Sequence, residues 1–180
     1  MENSSKVIFL VLLLLILSVS SFAGDPIEWT SGDYELRDSV TQLTTRNDVT
    51  VSMYQGGTVS WFYMYDDSEV TLYEHGASIS YLYLHGSNTA TFYGGYIGNI
   101  YVDPASTPEI YLNAYDVEFF NGPYPEIKGY WYDIPLGLNF FSIDLEDTDD
   151  SAFSYFHVIP EPATLALFAL GGLLLRKRRK

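Results

Sequence analysis

The sequence predicts an all-β fold: a short parallel β-solenoid of three to four coils, each of about 20 residues, with a C-terminal antiparallel strand cap. Three observations predict it. One segment recurs, as Val51-Ser-Met-Tyr-Gln-Gly-Gly57, Val70-Thr-Leu-Tyr-Glu-His-Gly76 and Ala90-Thr-Phe-Tyr-Gly-Gly95, with Ile110-Tyr-Leu-Asn113 as a decayed fourth copy. A second recurs in phase, as Ser60-Trp-Phe-Tyr-Met-Tyr65, Ser80-Tyr-Leu-Tyr-Leu-His85 and Asn99-Ile-Tyr-Val-Asp103. Within both, apolar and polar residues alternate with period two, as in a strand with two unlike faces. A meander of hairpins does not require the same residue type every 20 or so residues; a solenoid does, because equivalent residues pile up at ~4.8 Å.

The elements follow in chain order. Residues 1–23 read as an export signal with a helical apolar core. Lys6 starts it, Val7–Leu17 is unbroken apolar, and Ser21 and Ala23 fit a small-x-small cleavage pattern, so signal peptidase is expected to cut after Ala23. An uncleaved anchor is the rival, disfavoured because a span needs ~20 apolar residues. Residues 24–48 are expected to cap the stack. Residues 49–121 are the repeats. Their inward rows are Met53, Leu72, Phe92 and Leu112, then Phe62, Leu82 and Ile100, then Met64, Leu84 and Val102. Tyr63, Tyr83 and Tyr101 form an outward row. Gly-Gly corners supply backbone conformations that a Cβ resists. Residues 122–158 are expected to cap the far end, with Ile127–Trp131, Leu138–Ile143 and Phe153–Val158 pairing antiparallel. A β-sandwich with coincidental self-similarity is the alternative architecture.

The last segment is 159–180. Pro160-Glu161-Pro162 precedes Ala163–Leu175, thirteen uncharged residues, and Arg176, Lys177, Arg178, Arg179 and Lys180 close it. A helix over 163–175 is about 20 Å long, short of the ~30 Å hydrocarbon core but able to hold in a locally thinned bilayer. The basic run belongs on the cytoplasmic side, which puts the rest outside the inner membrane. This three-part tail resembles the PEP-CTERM sorting signal of Gram-negative bacteria. The resemblance rests on Pro160-Glu161-Pro162, the Ala-Thr-Leu-Ala-Leu helix start, Gly171-Gly172 and the basic terminus. It implies recognition by exosortase and removal of the tail. The mature protein is then released or attached at the cell surface, often beside exopolysaccharide. The repeats are also similar to short solenoid arrays of PEP-CTERM surface proteins. Ile127-Lys-Gly-Tyr-Trp-Tyr-Asp133 with Leu138-Asn-Phe-Phe looks like the strand module that often precedes such tails.

Composition excludes several functions. The 180 residues include no Cys, which removes disulfides, thiolate metal sites and a cysteine nucleophile. Residues 24–160 hold 3 basic and 21 acidic side chains, a formal charge of −18, so nucleic-acid binding through phosphates is not expected. No nucleophile elbow or phosphate loop occurs. Polysaccharide-degrading β-helices need a long groove with basic residues or paired carboxylates. Here no Arg or Lys lies between residues 47 and 127, and Asp66, Glu69 and Glu74 have no fixed separation. His75, His85 and His157 read as surface residues, and no zinc site is expected.

Two candidate sites remain. Asp144, Glu146, Asp147, Asp149 and Asp150 crowd one turn, and Ca²⁺ takes six to eight oxygen ligands. Without EF-hand spacing a solvated loop is the plainer reading, as it is for the weaker acidic candidate Asp66, Asp67 and Glu69, so no cofactor is expected and Ca²⁺ is the only candidate. Tyr63, Tyr83 and Tyr101 can form a strip that stacks on sugar rings; the plain rival is that Tyr suits any β surface. The expectation is a non-enzymatic exported protein, and the resemblance implies a structural or adhesive role within the envelope or exopolysaccharide layer.

Overall fold

The structure, a computed structural model, describes residues 26–73, 76–132, 140–146 and 150–159. Among these, the chain forms β1 (Ile27–Trp29), β2 (Asp33–Leu36), β3 (Ser39–Thr45), β4 (Thr50–Met53), β5 (Thr58–Asp66), β6 (Glu69–Leu72) and β7 (Ser78–Gly86). Then come β8 (Thr89–Phe92), β9 (Tyr96–Val102), β10 (Glu109–Leu112), β11 (Ala114–Phe120), β12 (Glu126–Trp131) and β13 (Phe140–Glu146). A 3-10 turn over Asp150–Tyr155 leads into β14 (Phe156–Val158). Short and long strands alternate and sort into two sheets, ordered β14-β10-β8-β6-β4-β2 and β1-β3-β5-β7-β9-β13-β12-β11. Every neighbouring pair is parallel except β11 with β12 and β12 with β13. The protein is a parallel β-solenoid of about four turns.

Register converts the repeat into columns. Leu36, Met53, Leu72, Phe92 and Leu112 are successive partners in the short sheet. Leu43, Phe62, Leu82 and Ile100 do the same in the long sheet, with Leu145 above them. Thr45, Met64, Leu84 and Val102 form a third column. All of these are buried, and they meet in one core between the sheets. Removing each large apolar side chain from water contributes about 1.5–3 kcal/mol, which sets the register.

An open column would expose apolar ends and unpaired strand edges. Among the described residues the outermost strands β1, β2, β11 and β14 keep one edge unpaired, but stacked aromatics cover the core at both ends. Trp29 lies on Tyr34 with ring centroids 4.1 Å apart at 2°. Trp131 lies on Phe141, also at 4.1 Å, and its Nε1 donates to the Gly95 carbonyl at 3.2 Å.

The structure departs from expectation at the ends. The segment expected as an N-terminal cap holds β2 and β3, which pair in register with β4 and β5. Its corner is the two-residue Arg37-Asp38, with no glycine to reveal the repeat. At the far end the antiparallel expectation holds for β12 and β13 only. Phe153–Tyr155 lies in the 3-10 turn, and β14 pairs parallel with β10. The reason is directional. The β11–β12–β13 meander reverses the chain twice, so β13 arrives running with β9 and joins it in parallel. The signal helix and the span over 163–175 lie outside the described residues. Among the described residues no helix is long and apolar enough to cross a membrane.

Candidate functional site

The outer face of the long sheet is built from the strand positions between the core columns. Gln42, Trp61, Tyr81, Asn99 and Asp144 make one row. Thr44, Tyr63, Tyr83, Tyr101 and Glu146 make the next. Parallel in-register pairing forces like residues together, so the tyrosines become ladders. Tyr63 stacks on Tyr83 with centroids 4.7 Å apart at 13°, while Tyr101 is tilted by 48° at 5.7 Å. Trp61 and Tyr81 are stacked at 6.5 Å. The corners carry another ladder, Tyr54, Tyr73 and Tyr93, with centroids 5.2 and 5.8 Å apart.

This geometry bears on the sugar-stacking strip. The structure brings Tyr63, Tyr83 and Tyr101 into one row as the sequence requires. However, Tyr63 and Tyr83 turn their faces toward each other, and both side chains are half-buried. A sugar ring needs an open aromatic face. The Tyr83 hydroxyl is held above its ordinary pKa, first by desolvation, then by neighbouring Tyr63 and Glu146.

Two of the three basic residues between positions 24 and 160 cap ladders. The Arg37 guanidinium lies 4.2 Å from the Tyr54 ring centre, and Arg46 lies 4.3 Å from that of Tyr65. Arg46 also donates to Glu28 at 2.7 Å, the main reason its pKa is raised. From Arg46 the column continues through Tyr65 to His85, stacked at 4.8 Å, and His85 Nδ1 meets Asp103 Oδ2 at 3.2 Å. The Asp103 carboxyl sits below the usual range, chiefly because Ala105 N–H donates to it and secondly because of His85. Sequence reasoning missed these Arg and Asp ladder ends. Their signal was the 19-residue step from Arg46 to Tyr65.

Among the described residues, the other predicted positions form no shared site. Asp144 and Glu146 extend the outer rows of the long sheet as exposed residues. Asp147, Asp149, Glu74, His75 and the Asp150 side chain lie outside the described set. Among the described residues no group of three or more His, Asp or Glu is placed to hold a metal. Asp66 accepts a hydrogen bond from Asn47 N at 3.2 Å, and Glu69 stands in the short sheet between Thr50 and Thr89. His157 lies over Tyr111, tilted by 30° with centroids 5.1 Å apart. A hollow of about 530 Å³ opens beside the β11 bulge, lined by Asp116, Glu118, Lys128, Tyr130 and Phe140 among others.

Ile159 N donates to the Leu112 carbonyl at 2.8 Å, so ordered pairing continues to the residue before Pro160. Pro160, Glu161, Pro162 and Arg176–Lys180 lie outside the described residues, as does Ala23. Residues 158–180 match the PEP-CTERM protein-sorting motif. Nothing matches among the curated proteins or the solved structures. The motif implies an exported protein made as a membrane-anchored precursor, with exosortase as its processing partner. A family motif at one end and self-stacked strands before it thus define the chain: a PEP-CTERM sorting motif on a parallel β-solenoid of about four turns.

Proposed function

We propose that this protein is a non-enzymatic structural component of the surface or extracellular matrix of a Gram-negative bacterium. Signal peptidase removes residues 1–23, and exosortase processes the tail through Pro160, Glu161 and Pro162. The mature solenoid then resides with exopolysaccharide at the outer surface. The observation that carries this reading is the sorting motif placed directly behind a self-stacked array. Ladders whose rings face one another suit cohesion of the array better than capture of a small ligand. The reading needs no cofactor, Ca²⁺ included, and no catalytic residue.

Expression in the native host tests the sorting half. Glu161→Ala, or deletion of Arg176–Lys180, should leave full-length precursor in the inner membrane. Release of those variants at the normal rate would refute it. A second assay separates structure from sugar binding. Electrophoresis through gels containing the host polysaccharide should show no retardation that depends on Tyr63 and Tyr83. Retardation abolished by changing those two would establish a carbohydrate-binding module instead. Release of reducing ends or unsaturated sugars would establish an enzyme. A melting temperature lowered by chelator would establish Ca²⁺ binding.

A further inference from the structure

The sorting motif and the fold overlap. The matched residues begin at Val158, yet Val158 belongs to β14, whose register is Ile110 with Phe156, Tyr111 with His157 and Leu112 with Val158. Ile159 is tied to the same strand through its N–H. Two motif residues are therefore engaged in the last rung.

Covalent geometry then limits what can reach Pro160–Pro162. From Ile159 to Ala163 a fully extended chain spans at most about 14 Å. That reach is little more than the width of one packed helix, about 10–12 Å. An enzyme that reads an extended peptide also needs free backbone on both sides of its motif. With the rung docked, the backbone on the N-terminal side is already hydrogen-bonded to β10.

The rung itself is weakly held. It is three residues long, lies at the sheet edge and pairs on one side only. His157 and Val158 are exposed, His157 with its ring tilted over Tyr111, so the buried apolar anchorage is Phe156, packed edge-on against Phe119. The preceding turn adds the Phe153–Phe119 contact and a hydrogen bond from the Tyr155 hydroxyl to the Ser106 carbonyl at 3.2 Å.

We propose that β14 is a detachable rung, and that its release from β10 gates processing of the sorting motif. Undocking frees a spacer reaching back toward residue 150 and lets exosortase take the motif as an extended strand. This rests on the processing reading above.

The chain has no cysteine, so a single engineered disulfide tests the gate cleanly. Tyr111→Cys with His157→Cys places two thiols at directly paired positions. In cells carrying exosortase, the oxidised full-length variant should be processed at least tenfold more slowly than the same protein after reduction. Six Gly/Ser residues inserted between Ile159 and Pro160 should restore the rate with the disulfide intact. Phe156→Ala, which loosens the rung without a cross-link, should be processed at least twofold faster than wild type. If wild type is processed and the cross-linked form keeps pace, the gate is refuted while the sorting reading stands. If the disulfide does not form, an unchanged rate for Phe156→Ala refutes the gate equally. Wild-type chain persisting unprocessed in such cells would overturn the sorting reading, and the gate with it.

Discussion

Single residues carry consequences that the columns make visible. Thr45 is fully buried beneath Met64, and its Oγ1 has no hydrogen-bond partner. A buried unsatisfied hydroxyl costs about 1–3 kcal/mol, so isosteric Thr45→Val should raise stability by about 1 kcal/mol in urea unfolding. Gly86 shows the opposite constraint. Asn47, Asp66 and Gly86 occupy equivalent turn positions with φ of 59°, 59° and 114°. A Cβ on Gly86 would lie 2.8 Å from the Asp66 carbonyl oxygen, so Gly86→Ala should cost about 1–3 kcal/mol. Asp103 links a residue to pH. Its folded pKa is depressed, so its contribution is full above the unfolded value of about 3.9 and is lost as pH falls through the folded value. Wild type should exceed Asp103→Asn in urea midpoint near pH 5, and the gap should close on acidification. A gap independent of pH would contradict that carboxylate's role.

At the scale of elements, the unit is the column. Leu82 lies between Phe62 and Ile100 with no exposed surface. Leu82→Ala should cost about 2–5 kcal/mol, since packed neighbours relax only partly into the cavity. The outer ladder is a weaker cohesive element of the same kind. A double-mutant cycle on Tyr63 and Tyr83, each to Ala, should return a coupling of about 0.5–1.5 kcal/mol. Zero coupling would mean that the stacked geometry contributes nothing beyond area. The repeat spacing made these rows legible before any coordinates, because equivalent positions recur in phase. The first coil was not legible, since Arg37-Asp38 replaces the glycine corner and Tyr34 stands where later coils have Val51, Val70 and Ala90.

For the whole molecule, charge and connectivity matter most. With 3 basic against 21 acidic residues in 24–160, the solenoid repels itself. Raising NaCl from about 0.02 to about 0.3 M shortens the screening length and should raise the melting temperature. A fall would show that ion pairs such as Arg46–Glu28 outweigh the repulsion. The same charge makes close approach of the folded body to anionic headgroups unfavourable, which favours undocking of β14 in the anchored precursor. The solenoid's two ends are chemically unlike. One is covered by Trp29 and Tyr34 with Arg-capped ladders, the other by Trp131 and Phe141 and by a rung leading into the sorting motif.

What the sequence determined by itself was whatever depends on local pattern. Alternation set the strands, spacing set the parallel stacking, and the proline-bounded apolar run with its basic terminus set the sorting route. Tertiary structure alone decided what depends on direction and on distant partners. The number of reversals in the β11–β12–β13 meander, which no periodicity encodes, returned β13 to β9. Only the meeting of Phe156 with a core assembled from earlier coils could place β14 on β10. Whether ring faces point outward or at each other is likewise settled by the close spacing of parallel strands, which brings Tyr63 and Tyr83 into contact.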